Sequence, residues 1–193
     1  MSGLNPSSAR EMTLPARIIF QGPYTFFGEN SLFAAHQEEF PGVYLWCIDT
    51  GDRLLPYYVG MSRQVLSRTR QHIKAHMTGA YWVYDADRLA EARKDVLYKP
   101  MRADEALAIG PEFYAAARAQ LERTRVVAAR IDVDRPWLLR VESALILALA
   151  ADPELVRIQD NGSVSKYTAE SERISVPVTL PSVVALNVDE LAI

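Results

Sequence analysis

Between Arg53 and Tyr84 the chain has no Asp or Glu, yet it carries Arg53, Arg63, Arg68, Arg70 and Lys74. Removing these five charges from a formal net of −3 leaves −8 for the remainder. A concentrated basic surface on an acidic protein suits a phosphate-bearing substrate met at one place. The competing reading is an ordinary solvated helix face, but the i±4 acids that such a face recruits are missing. The second residue that could do chemistry is Glu142, the one acid between Pro136 and Ala151. On a helical wheel, Leu138, Leu139, Leu145, Ile146 and Leu149 fall within about 60° of it on either side. A carboxylate centred on an apolar stripe must be ion-paired, protonated or metal-bound to stay there. Arg140, Arg130 or another base is the candidate ion-pair partner. A lone hard carboxylate completed by water also suits Mg²⁺, which keeps much of its hydration and binds substrate phosphate.

His72 and His76, four residues apart, invite a zinc reading. A zincin helix, however, places Glu directly after the first His, where this chain has Ile73, and no third ligand is evident. The single Cys47 excludes an internal disulfide and a Cys-based zinc site, and its place in a strand pattern marks it as a buried small hydrophobe. No apolar run is long enough to span a bilayer, so no membrane partner is expected. The N-terminus has no hydrophobic signal core, so the expected location is cytoplasmic.

The elements that must position these groups are readable from pattern. At 193 residues and 49% hydrophobic, the chain can bury one core, giving a single domain over 17–193 behind a mobile Ser- and Pro-containing tail, 1–16. Residues 17–41 read as one short strand with ordered loops. Gly42–Asp49 and Leu54–Gly60 are strands joined by the turn Thr50-Gly51-Asp52, with Pro56 restricted to a strand start or an edge. Ser62 stands at an N-cap position before a helix over Arg63–Met77 that ends near Gly79. On its wheel Arg68, His72 and His76 cluster within about 80°, while Leu66, Ile73 and Met77 lie at about 140–180° and form the packing side. Residues 85–123, broken at Lys99-Pro100 and Gly110-Pro111, suggest two amphipathic helices, about Asp87–Tyr98 and Pro111–Arg123. Thr124–Val133 is a third strand and Pro136–Ala151 a helix with Pro in its first turn. Asp160-Asn161-Gly162 is a turn, and beyond Lys166 the chain should wrap the core in extended segments.

Taken together, Gly42-Val43-Tyr44 and Tyr58-Val59-Gly60, Arg68 eight residues after the second glycine, His72 four further on, Glu142 on the later helix and Asn161 beyond it resemble the GIY-YIG endonuclease family. Val43 and Val59 replace the family's isoleucines, a conservative change on a strand. The resemblance covers about residues 42–77 and 124–161 and implies an α+β fold: a small, mainly antiparallel three-stranded sheet flanked by helices, with 85–123 as a helical insertion before the third strand. It implies a divalent-metal-dependent endonuclease that hydrolyses phosphodiester bonds in nucleic acid, DNA being the expected form. By the same resemblance Tyr44 is the general base or its partner, its phenol acidified by nearby positive charge. Tyr58 orients water or phosphate, Arg68 clamps non-bridging oxygens, and His72 assists proton transfer or hydrogen-bonds the phosphate. Glu142 holds Mg²⁺ (or Mn²⁺), and Asn161 braces the site, although Asn-Gly is also common turn chemistry. Arg63, Arg70, Lys74 and His76 are the further nucleic-acid contacts expected from the basic helix. The alternative is a non-catalytic module that retains this fold and uses the same helix to bind nucleic acid or protein. Whether the chain acts alone or as a homodimer stays open, and the acid-rich insertion is expected to select substrate shape or contact a second subunit.

Overall fold

The computed structural model describes residues 15–161 and 174–193. In chain order these form β1 (Ile18–Ile19), β2 (Gln21–Tyr24), α1 (Leu32–Ala35), β3 (Gly42–Asp49), β4 (Leu54–Ser62), α2 (Val65–Met77), β5 (Val83–Tyr84), α3 (Ala86–Ala90), β6 (Val96–Tyr98), α4 (Ala103–Ile109), α5 (Pro111–Arg123), β7 (Thr124–Arg130), α6 (Arg135–Ala151), β8 (Ser175–Thr179) and β9 (Glu190–Ala192). The α+β class expected from the pattern is what folds. The expected tail lies, up to residue 14, outside the described residues, as do Gly162 of the expected turn and the start of the extended segment after Lys166. The part of that segment from 174 onward does form strands, β8 and β9. No helix among the described residues is long and apolar enough to cross a membrane.

The central sheet has four strands rather than three, in the order β2-β7-β3-β4 with every pairing antiparallel. The three expected strands are present, with β3 between β4 and β7. The addition is β2, whose Pro23 cannot donate to a ladder and so suits the edge it occupies. Pro56 likewise falls on the opposite edge strand, β4. Strand β3 is buried along its length except at Asp49, which explains its unbroken run of bulky residues, Cys47 included. A second sheet joins β1, β8 and β9, and β5 with β6 makes a two-stranded ribbon.

The region expected to be two helices is more broken than its Ala content suggested. Helix α5 matches its expected bounds, but Asp87–Tyr98 does not form one helix. After α3 the chain passes through Ala92 at φ 55°, a left-handed turn that ends a helix, and then pairs Val96–Tyr98 with β5. The insertion has a small core of its own, in which Val83, Ala106, Phe113 and Ala117 pack together. Leu121 carries α5 into the main core.

Helix α2 starts two residues later than expected. Ser62 still belongs to β4, and its hydroxyl accepts from Gln64 N–H. The first turn is satisfied from a distance instead. Glu39 Oε2 accepts from Leu66 N–H at 3.0 Å and Oε1 from Ser67 N–H at 2.8 Å. A carboxylate there also complements the positive end of the helix dipole. The buried surface of α2 is wider than the wheel allowed and takes in the two histidines along with Leu66. Val65, Leu66, Thr69, His72 and His76 are buried, whereas Ile73 and Met77 are only half-buried. His76 stacks on Trp46 while His72 meets Tyr44, Trp46 and Tyr58 edge-on, an aromatic surface that accepts imidazoles in either orientation.

The glycine of the first tripeptide is required by strand spacing. A Cβ on Gly42 would overlap the carbonyl oxygen of Ala129 on β7. Gly42→Ala should therefore lower the free energy of unfolding by about 1–3 kcal/mol, as overpacking does. A urea midpoint equal to that of the wild type would show that β7 can move aside and that the glycine is not sterically required.

Candidate active site

Across the β3–β4 ladder Tyr44 stands opposite Gly60, and Trp46 opposite Tyr58. A Cβ on Gly60 would lie 2.5 Å from the Tyr44 hydroxyl oxygen and from Cζ, so the Tyr44 ring crosses β4 where only glycine leaves room. That crossing carries its hydroxyl to 3.1 Å from His72 Nε2 on α2. Tyr58 packs 5.5 Å from the His72 ring, Trp46 lies 5.2 Å from it, and His76 stacks on Trp46 at 5.6 Å, all between centroids. A bulge interrupts the β3–β4 ladder: Trp46 pairs with Tyr58 and Cys47 with Pro56, so Tyr57 has no opposite residue on β3. Tyr57 is buried and hydrogen-bonds Thr124 Oγ1 at 3.0 Å.

Arg68 is half-buried on the same side of α2, and its guanidinium acts electrostatically on Tyr44, Tyr58, His72 and Glu142. Glu142 arrives from α6 and accepts the Met61 backbone N–H of β4. The cations that act on its carboxylate are Arg135 and Arg68, and no ion pair within 4 Å closes on it among the described residues. The fold thus brings together Tyr44, Tyr58, Arg68, His72 and Glu142 from two strands and two helices.

Burial governs the protonation of this group. It pushes the Tyr44 phenol well up and the Tyr58 phenol to about 12; Arg68 pulls both back without reversing the direction. The acidified phenol expected of Tyr44 is therefore not what this environment produces. Burial lowers His72 to about 3, with Arg68 adding to the effect, and lowers His76 to about 4. Both imidazoles are neutral at pH 7. Tyr44 O–H can then donate to Nε2 of a neutral His72. Burial raises Glu142 to about 7, opposed by Met61 N–H, Arg135 and Arg68.

A desolvated carboxylate without a close cation is a fit for one divalent ion that brings its own water and its own substrate oxygens. No cluster of three His, Cys, Asp or Glu that could hold a metal exists among the described residues. The other residues expected to touch nucleic acid divide. Lys74 is exposed, and Arg63 is exposed beside Asp134 at 3.9 Å. Arg70 lies over the Phe33 ring at 4.7 Å and 3.6 Å from Glu39, so it ties α2 to α1. His76 is buried rather than displayed on the helix surface. Asn161 Oδ1 accepts from Val59 N–H at 2.9 Å and Nδ2 donates to Val59 O at 2.7 Å. That two-point clamp occupies the free edge of β4, and it is more than turn chemistry.

Sequence reasoning passed over Tyr81, Lys94 and Asp160. Lys94 Nζ donates to Asp160 Oδ1 and to Gln159 O, both at 2.8 Å, joining the insertion to the segment after α6. With Tyr81 they line a cavity that borders Tyr58 and His72. A lysine in an acidic insertion has no local pattern that would have marked it. No family model, curated protein or solved structure matches this chain.

Glu142 has a measurable signature without substrate. Its folded pKa of about 7 exceeds the ordinary 4.5, so the stability linked to its proton is present below about 4.5 and is lost as pH rises through 7. In metal-free buffer Glu142→Gln should melt at a higher temperature than wild type at pH 8 and at nearly the same temperature at pH 4.5. Melting curves with no such pH-dependent gap would mean that the carboxylate is solvated.

Proposed function

We propose that the protein is a divalent-metal-dependent endonuclease of GIY-YIG type, hydrolysing phosphodiester bonds in nucleic acid. The observation that carries this reading is the convergence of Tyr44, Tyr58, Arg68, His72 and Glu142 on one place from four separate elements. Charge and hydrogen-bonding capacity are gathered there as phosphodiester hydrolysis requires: a nucleophile to be deprotonated, a phosphate to be neutralised and a leaving oxygen to be stabilised.

In this reading Arg68 holds two non-bridging oxygens, a task for a planar guanidinium fork. Tyr44 stays protonated and relays. Its oxygen takes a proton from the attacking water as its own proton passes to His72 Nε2. The approach of an anionic phosphate raises the pKa of His72 from its depressed value, so the imidazole accepts that proton more readily in the complex. Tyr58 orients the water from the adjacent strand, and Asn161 keeps β4 in place. Glu142 holds Mg²⁺ or Mn²⁺. When bound, the cation neutralises charge on the phosphate and stabilises the leaving oxygen.

Incubation of the protein with DNA and RNA forms in Mg²⁺, Mn²⁺ and EDTA tests the reading directly. Metal-dependent strand scission is expected, and Glu142→Gln should remove it while the protein stays folded. A folded Glu142→Gln protein with full activity would sink the metal assignment. Binding without scission in every metal would favour the non-catalytic module.

Two further variants separate roles. Arg68→Ala should cut kcat by about 10²–10³ with a smaller change in binding, because the clamp acts as charge develops. Lys74→Ala should weaken affinity and flatten its salt dependence. Tyr44→Phe should abolish most turnover, whereas Tyr57→Phe should cost about 1 kcal/mol of stability by losing the Thr124 bond and leave turnover intact. Equal, mild kinetic effects at 44 and 57 would remove Tyr44 from the relay.

A further inference from the structure

Beside the catalytic group lies a cavity of about 310 Å³ walled by Trp46, Tyr58, His72, His76, Tyr81 and Trp82. All of these rings but Trp82 touch one another in a continuous aromatic surface: Tyr81 lies 5.3 Å from the His72 ring and 5.4 Å from the His76 ring, between centroids. Its polar side is supplied by Lys94, Asp160 and Asn161. The volume is at the small end for a ligand site and accommodates one ring system, not a peptide or a duplex. Its charge is balanced, since Lys94 and Asp160 neutralise each other and both imidazoles are neutral at pH 7. That combination disfavours a phosphate, and the lysine in the wall disfavours a cation. It suits a flat, uncharged heterocycle.

The hydrogen-bonding complement points the same way. Tyr84 O–H and Lys94 both donate to Oδ1 of Asp160, which leaves Oδ2 able to accept among the described residues. Two of the three Lys94 protons are used, on Gln159 O and Asp160, and the ammonium lies over the Tyr84 ring at 4.9 Å, so the third N–H has no oxygen acceptor among the described residues. A donor beside an acceptor matches the edge of a nucleobase. In the wall, Trp46 Nε1 and His76 Nδ1 are buried without a hydrogen-bond partner among the described residues. Tyr58 and His72 belong both to this cavity and to the catalytic group, so an occupant of one is adjacent to an occupant of the other.

We propose that this cavity receives a single unstacked base of the substrate, next to the phosphate held at Arg68 and Glu142. The proposal rests on the nuclease reading and narrows it to nucleic acid with an unpaired or extruded base: single strands, flaps, mismatches or loops. A base inside an intact duplex cannot reach such a cavity without leaving its stack. Stacking on aromatic rings tolerates any base, so selection is by pairing state more than by sequence.

The test measures binding in EDTA, where no strand is cut, by fluorescence anisotropy with a short single-stranded DNA, its duplex, and a set in which an abasic site is moved along the single strand. Single strand should bind more tightly than duplex. One abasic position should weaken binding by roughly 5- to 100-fold, the range of one base stack. Tyr81→Ala should cause a similar loss with the intact strand and no further loss with that abasic strand, while Tyr81→Phe should retain affinity. Equal affinity for every abasic strand, or additive losses with Tyr81→Ala, would overturn the proposal, as would preference for duplex. Should Tyr81→Ala fail to fold, the abasic scan on the wild-type protein decides the matter alone. The two readings fail separately. A positive scan with no scission in Mg²⁺ or Mn²⁺ removes the nuclease and keeps the base cavity. Duplex scission that is indifferent to Tyr81→Ala removes the cavity and keeps the nuclease.

Discussion

Tyr44 can cross β4 only because Gly60 has no side chain. Much follows from that absent Cβ. The phenol reaches α2 instead of stopping at the sheet, and its bond to His72 ties β3, β4 and the helix into one register. Glu39 fixes where α2 begins by taking the amides of its first turn. With both ends of the arrangement set, Arg68 falls one turn before His72 and comes within electrostatic reach of both tyrosines and of Glu142. Close packing here leaves no slack, so a small backbone feature decides the placement of several reactive groups.

Strand β4 lies at an edge of the central sheet, and an edge carries unpaired amides and carbonyls that must be met. The groups that meet them are those of the candidate site. Asp160 N–H donates to Tyr57 O, Asn161 clamps both groups of Val59, and Glu142 accepts from Met61 N–H. Further along, Leu54 N–H donates to Val183 O and Ala185 N–H donates to Leu54 O. The segment after α6 therefore takes the place of a fifth strand. Structure and site share the same bonds, and this is why a side chain as ordinary as Asn161 ends up beside the reactive group.

Burial sets the electrical state of the place. It drives acids up and bases down at once, leaving neutral imidazoles, neutral phenols and a carboxylate near half-protonation at pH 7. Arg68 is then a fixed charge that acts on both tyrosines, His72 and Glu142 alike. Under the proposed function, substrate and divalent ion bring the missing charges in complementary signs, and a low local dielectric strengthens their effect.

Much of this was legible along the chain. Strands β3 and β4, the helices at α2 and α6, and the oddity of Glu142 all follow from local pattern, because period, turn residues and an acid on an apolar stripe are properties of neighbours in sequence. Gly42 and Gly60 were legible as a motif, but their reason, a carbonyl on β7 and a ring from β3, is not local. What only the tertiary structure decided involves partners far apart: the fourth strand, the capping of α2 by Glu39, the bulge at Tyr57, and the break of the insertion at Ala92. It also decided that the two histidines of α2 are buried beside Leu66. A helical wheel ranks His below Ile and Met, yet opposite a wall of Trp and Tyr the flat imidazole is the better fit. The cavity is the extreme case. Lys94, Tyr81 and Asp160 become neighbours only when the insertion folds back on the segment after α6, so no spacing in the chain could have announced it.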